Sequence, residues 1–127
     1  MPPDKKTMQR LLGDWGEDAV CDWLKKHRYK VVARNFRCRV GEIDIIAQNR
    51  KYIVFVEVKL RKNAAFAEAL EFVTPAKQRR LVMTAELFLQ KNPTELQPRF
   101  DVAEVYAPEG AATARPEIKY LEDAFES

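Results

Sequence analysis

Two cysteines and one histidine are all that this chain of 127 residues offers in soft metal ligands. Cys21 and Cys38 form no C-x-x-C pair, and together with His27 they fall short of the four ligands of a structural zinc site. Both cysteines therefore read as small, reduced fillers. Long apolar runs are missing too. No stretch approaches the roughly 18 residues that a membrane span needs, and the opening Met1-Pro2-Pro3-Asp4-Lys5-Lys6 has no apolar signal core. A cytoplasmic protein with no membrane partner is expected. Repeats and low-complexity tracts are absent as well.

What is present suits one ordinary globular domain spanning 1–127, with 46% hydrophobic and 32% charged residues. Residues 1–8 are expected to be flexible and 107–117 to form a loop. The net charge of +3 conceals a segregation. Residues 1–99 hold 20 Lys and Arg against 12 Asp and Glu, whereas residues 100–127 hold 2 against 7. The densest basic run is Lys25, Lys26, Arg28, Lys30, Arg34, Arg37 and Arg39, and Lys77, Arg79 and Arg80 form a second cluster. Such runs suit either a solvated face or a polyanion. The acidic C-terminal segment is read as a surface turned away from any polyanion.

Apolar periodicity places the elements. Leu12, Gly16, Ala19, Val20, Trp23 and Leu24 give a helical stripe over about Gln9 to His27, with Trp15 and Trp23 as packing residues and His27 at the exposed helix end. Strands follow over Tyr29–Phe36, Gly41–Ala47 and Tyr52–Leu60, the last two joined by the hairpin Gln48-Asn49-Arg50-Lys51. A loop over Arg61–Ala67 and a helical turn over Glu68–Val73 lead to Thr74-Pro75, an N-cap followed by proline at the first helical position. That helix runs to Lys91, before Asn92-Pro93. Strands over Arg99–Tyr106 and Ile118–Leu121 complete an α/β chain of order α-β-β-β-α-β-β.

Within this pattern Asp44 and Glu57 sit in Gly41-Glu42-Ile43-Asp44-Ile45-Ile46 and Val54-Phe55-Val56-Glu57-Val58-Lys59-Leu60. These strings read as buried strands, where an ionised group costs several kcal/mol unless it is paired or holds a metal. Strand alternation puts Glu42, Asp44 and Ile46 on one face, opposite Ile43 and Ile45, and gives Phe55, Glu57 and Lys59 a common face. The acidic sets then meet on one side of the hairpin. Two outcomes are open: an ion pair with Lys59, or a Mg²⁺ held between the carboxylates, with Lys59 near a phosphate or an attacking water. As a three-residue set on two apolar strands, the metal site is favoured. Basic residues at the start of the second helix oppose its dipole and invite an anionic partner.

Gly41-Glu42-Ile43-Asp44, Val54-Phe55-Val56-Glu57-Val58-Lys59, Lys77-Gln78 and Arg99-Phe100-Asp101-Val102, in this order and spacing, resemble the YraN-like family, an uncharacterised bacterial group. The resemblance extends from Gly13-Asp14-Trp15-Gly16-Glu17 to Asp123-Ala124-Phe125. That family is similar in turn to the PD-(D/E)xK nuclease superfamily, which includes Holliday-junction resolvases. The resemblance implies a restriction-endonuclease-like core, a central mixed sheet flanked by helices. It also implies catalytic roles for Asp44, Glu57, Lys59 and Gln78, with Glu17 joining Asp44 and Glu57 at Mg²⁺ or Mn²⁺. Ile43 stands where the motif has its proline, and Asn63-Ala64-Ala65-Phe66-Ala67 lacks the glycines expected after the lysine.

The function so implied is a metal-dependent nuclease acting on DNA, branched or structured DNA included, with Lys77, Arg79, Arg80, Arg34 and Arg37 as nucleic-acid contacts. The alternatives are a non-catalytic nucleic-acid-binding module of the same fold, or an interaction protein working as a homodimer.

Overall fold

A computed structural model describes residues 4–62 and 73–126 of the chain. Helix α1 (Lys5–Lys26) starts four residues before its apolar stripe predicts and takes in residues 5–8 of the segment expected to be flexible. The cause is local: the Asp4 side chain accepts from Thr7 N at 2.7 Å and caps the first turn. Three strands follow, β1 (Lys30–Cys38), β2 (Gly41–Gln48) and β3 (Tyr52–Arg61). Helix α2 (Pro75–Lys91) then leads to β4 (Gln97–Tyr106) and β5 (Glu117–Phe125). As expected, Thr74 caps α2 and Pro75 opens it, while Asn92 ends it by bonding the Phe88 carbonyl. A single 3₁₀ turn at Gly110–Ala112 lies inside the expected 107–117 loop. The loop expected over Arg61–Ala67 and the helical turn over Glu68–Val73 fall on residues outside the described ones, save Lys62, Val73 and Arg61, which ends β3 instead of opening a loop.

The fold is α/β, with five strands in the order β1-β2-β3-β4-β5. All neighbours are antiparallel except β3 and β4, which run parallel with α2 as the crossover between them. The two helices cover opposite faces. On the α2 face, Leu81, Ala85 and Phe88 pack with Ile46, Ile53, Phe55, Phe100 and Val102. On the α1 face, Val20, Cys21 and Leu24 pack with Ile45, Ala47, Val54, Val56, Ala103 and Val105. This is the mixed, helix-flanked sheet implied by the sequence, and both cysteines in it are free.

Three expectations need correction. Strand β5 is longer than Ile118–Leu121, because it stays paired with β4 as far as Phe125. The C-terminal acids are not uniformly a repelling surface, since Asp101 and Glu104 are fully buried, ion-paired to Arg99 and Arg61 respectively. The simple alternation assumed for β2 also fails. Ile43 and Ile46, three residues apart, both join the α2-side core, while Ile45 joins the other. Strand β1 slips in the same way, with both Ala33 and Phe36 on the α2 side. The slip centres on Asn35 and Asp44, which face each other between the pairs Arg34–Ile45 and Phe36–Ile43. Asn35 has φ +52°, in the left-handed region that asparagine tolerates better than most residues. One left-handed residue reorients the strand and carries its partner with it.

Candidate active site

That local reorientation fixes the first carboxylate. The regular β2–β3 ladder ends at the pair Ile45–Val56, and the next residue, Asp44, takes over with its side chain. Its Oδ2 accepts from Val58 N at 2.8 Å, which satisfies a strand amide that the ladder leaves behind. The second carboxylate, Glu57, is only 8% exposed and comes from β3. It lies between two ammonium groups, Lys77 Nζ at 2.7 Å and Lys59 Nζ at 3.7 Å. Asp44 and Glu57 line one concavity of about 260 Å³ with Gly41, Glu42, Lys77, Arg80 and Leu81.

Electrostatics in this concavity are strained in a definite direction. Burial, followed by the nearby Glu57 charge, pushes the Asp44 carboxyl up to about 7. Burial also pulls the Lys59 ammonium down, and the neighbouring Lys77 adds to the effect. Burial opposes the Lys77 cation too, yet its hydrogen bonds to Glu57 and Lys59 and the charges of Glu57 and Asp44 together outweigh this and leave it raised. Two carboxylates thus crowd each other in a poorly hydrated site, and a lysine from α2 neutralises one of them.

The other candidate residues fall in different places. Glu17 on α1 is buried, and its Oε1 accepts from Asn35 Nδ2 at 3.0 Å and from the Arg34 guanidinium at 3.5 Å. Burial raises its carboxyl. It does not line the concavity with Asp44 and Glu57. Gln78 donates from Nε2 to the Val73 carbonyl at 3.0 Å, so it braces the entry to α2 rather than facing the carboxylates. Arg34 is held by Asp18 at 2.7 Å, and Arg37 by Glu42 at 3.1 Å. Arg79 is exposed, while Arg80 is at the rim of the concavity.

Lys77 is the residue whose part in the site was missed, having been assigned only to nucleic-acid contact. A signal existed, because Lys77 is in helical phase with Leu81, Thr84 and Phe88, the buried stripe of α2. Gly41 carries a further signal. A Cβ there would meet Thr84 Oγ1 at 2.8 Å, so glycine lets the start of β2 press against α2.

Among the described residues no group of three or more His, Cys, Asp or Glu side chains is placed to hold a metal. The donors at hand are the Asp44–Glu57 pair.

A model of the uncharacterised protein family UPF0102 matches residues 16–105, a span that contains every residue of this concavity. The chain belongs to the UPF0102 family. It is 42% identical over 127 residues to a UPF0102 protein of Geotalea daltonii, covering 99% of this chain and 98% of the relative. Another UPF0102 protein, from Caldicellulosiruptor saccharolyticus, is 46% identical over 99 residues, covering 77% and 84% of the two chains. A third, from Symbiobacterium thermophilum, is 43% identical over 119 residues, covering 93% and 98%. No helix among the described residues of this UPF0102 chain is long and apolar enough to cross a membrane.

Proposed function

We propose that this UPF0102 protein is a metal-dependent nuclease that hydrolyses phosphodiester bonds in DNA, branched or structured DNA included. The observation that carries this reading is the convergence of Asp44, Glu57, Lys59 and Lys77 at the Gly41 end of the β2–β3 hairpin. The donor set fits Mg²⁺ or Mn²⁺ in chemistry. Both donors are carboxylates, Asp44 is burdened by the Glu57 charge, and Mg²⁺ commonly binds proteins through only one or two carboxylates, keeping several waters. Asp44 and Glu57 would hold the ion, and when bound it would supply charge relief at the phosphate and a more acidic water.

The chain's own residues do the rest. The Val58 amide fixes the Asp44 carboxylate. Lys59, its ammonium pulled down by burial and by Lys77, gives up a proton more readily than an exposed lysine and stands 3.7 Å from Glu57, beside the phosphate or attacking water. Lys77 and Arg80 line the concavity and place positive charge where a phosphate would bind. The test is cleavage of single-stranded, duplex, flapped and four-way DNA with Mg²⁺ or Mn²⁺, beside Glu57→Ala and Lys59→Ala. Cleavage by the parent alone supports the reading. No cleavage of any form, with metal binding untouched in Asp44→Ala, overturns it.

The 2.7 Å Lys77–Glu57 ion pair favours a second reading. If Lys77 permanently takes the place of the divalent charge, the chain is a nucleic-acid-binding module without turnover. Salt-dependent DNA binding unchanged in Asp44→Ala and Glu57→Ala, with no cleavage, would establish it.

A further inference from the structure

The opposite end of the sheet carries a concavity of about 480 Å³ lined by His27, Arg28, Asn49, Arg50 and Lys51. Its walls are the C-terminal end of α1 and the β2–β3 hairpin, so residues far apart in the chain bring cations to one place. We propose that this concavity is a second phosphate-binding site, which grips the sugar-phosphate backbone of DNA at a distance from the Asp44–Glu57 site.

Four observations carry the proposal. First, no carboxylate lines the concavity, and Arg28, Arg50 and Lys51 have no ion-pair partner among the described residues. Unpaired like charges gathered around one hollow repel each other, and an anion relieves that cost. Second, the helix dipole accounts for Lys25 and Lys26 in the last turn of α1, but not for Arg50 and Lys51, which belong to another element. Third, Arg28 has φ +69°, a left-handed position just past the helix where glycine is the usual occupant. A guanidinium is kept there against that backbone preference. Fourth, the hairpin tip is held by its own hydrogen bonds. Asn49 Oδ1 accepts from Lys51 N at 2.9 Å and Tyr52 N at 2.7 Å, and the Lys51 carbonyl accepts from Gln97 N at 3.0 Å. The cations therefore project from a fixed frame.

The identification of the anion as DNA rests on the nuclease reading of the other site. The two sites are compatible with one ligand. Asn49 lies five residue steps beyond Asp44, about 17 Å at about 3.3 Å per step, or about five base-pair steps. Strand β1 spans the interval, from exposed Lys30 opposite Gln48 to exposed Arg37 opposite Glu42.

The experiment measures binding of a fluorescent duplex by anisotropy over a salt series, in EDTA, with Asp44→Ala as the parent so that nothing is cut. Adding Arg28→Gly, Arg50→Ala and Lys51→Ala should weaken binding at least tenfold and reduce the slope of log K against log salt by about 2 to 3. Arg28→Gly alone should weaken binding while raising Tm by a few degrees, because glycine suits the left-handed position. Unfolding thus cannot imitate the expected result. Unchanged affinity and slope in the triple variant overturn the proposal, as does a parent that binds no duplex at low salt. So does loss of binding to phosphatidylserine vesicles in the triple variant while duplex binding is kept. Cleavage is scored separately on the wild-type protein. A protein that cuts nothing, yet loses duplex binding in the triple variant, sinks the nuclease reading and leaves this site standing.

Discussion

Asp44 is where chemistry and stability pull against each other. In the folded chain its carboxyl titrates at about 7, against about 3.9 for a free aspartate. A carboxyl raised on folding binds more protons in the native state between those two values, so stability falls as pH rises from about 4 to 7 and the full cost is present above 7. Three pKa units at about 1.4 kcal/mol each put that cost at a few kcal/mol. Asp44→Asn should therefore raise Tm at pH 8 and leave it unchanged near pH 4, as followed by circular dichroism melts. A pH-independent difference would defeat the claim. Mg²⁺ should raise the Tm of the parent more at pH 8 than at pH 5, and should do little for Asp44→Asn. The two carboxylates were legible in the sequence because charge inside Val- and Ile-rich strands is conspicuous. The cation that answers Glu57 was less so, since Lys77 comes from a helix whose first turn reads equally well as a solvated basic cluster.

Contact between β2 and α2 depends on a missing side chain. Thr84 is fully buried and its Oγ1 donates to the Arg80 carbonyl at 2.7 Å, immediately beneath Gly41. Gly41→Ala should push α2 off the strand and cost about 1–3 kcal/mol by overpacking. Thr84→Ala should restore much of that loss, so a double-mutant cycle in urea should show strong non-additivity. Additive effects would mean that the two elements do not press on each other there. Strand and helix positions followed from apolar spacing, and the caps Thr74-Pro75 and Asn92-Pro93 placed α2 correctly. The start of α1 did not follow, because Asp4 caps a turn that has no apolar stripe. The slip at Asn35 and Asp44 was hidden for a different reason. Alternation is a rule about uninterrupted strands, and only the residue type at Asn35 hints at a left-handed turn in the middle of one.

Strands β3, β4 and β5 and the end of α1 are tied together by a buried polar network that no spacing rule exposes. The Asp101 carboxylate accepts from Arg99 Nε and guanidinium at 2.9 and 2.8 Å, from the Tyr120 hydroxyl at 2.6 Å and from Asp123 N at 2.9 Å. Arg99 also donates to the Tyr29 hydroxyl at 2.7 Å and lies over the Tyr52 ring. Asp101→Ala leaves buried Arg99 with only the exposed Glu122, 3.9 Å away, as counter-charge and should cost about 3–5 kcal/mol, read from urea unfolding. A loss under 1 kcal/mol would show that water reaches Arg99. The sequence places Arg99 and Asp101 two apart on one strand, but the residues that complete the network come from three other elements. The parallel pairing of β3 with β4 has a kinetic consequence. Strands β1, β2 and β3 are joined by short turns and should close early, whereas β4 should dock only after the α2 crossover is made. Asp44 and Glu57 would then meet during refolding before Lys77 arrives to neutralise one of them. Stopped-flow refolding should therefore slow as pH rises from about 4 to 7, between the free and the native titration of Asp44, and Asp44→Asn should remove that slowing.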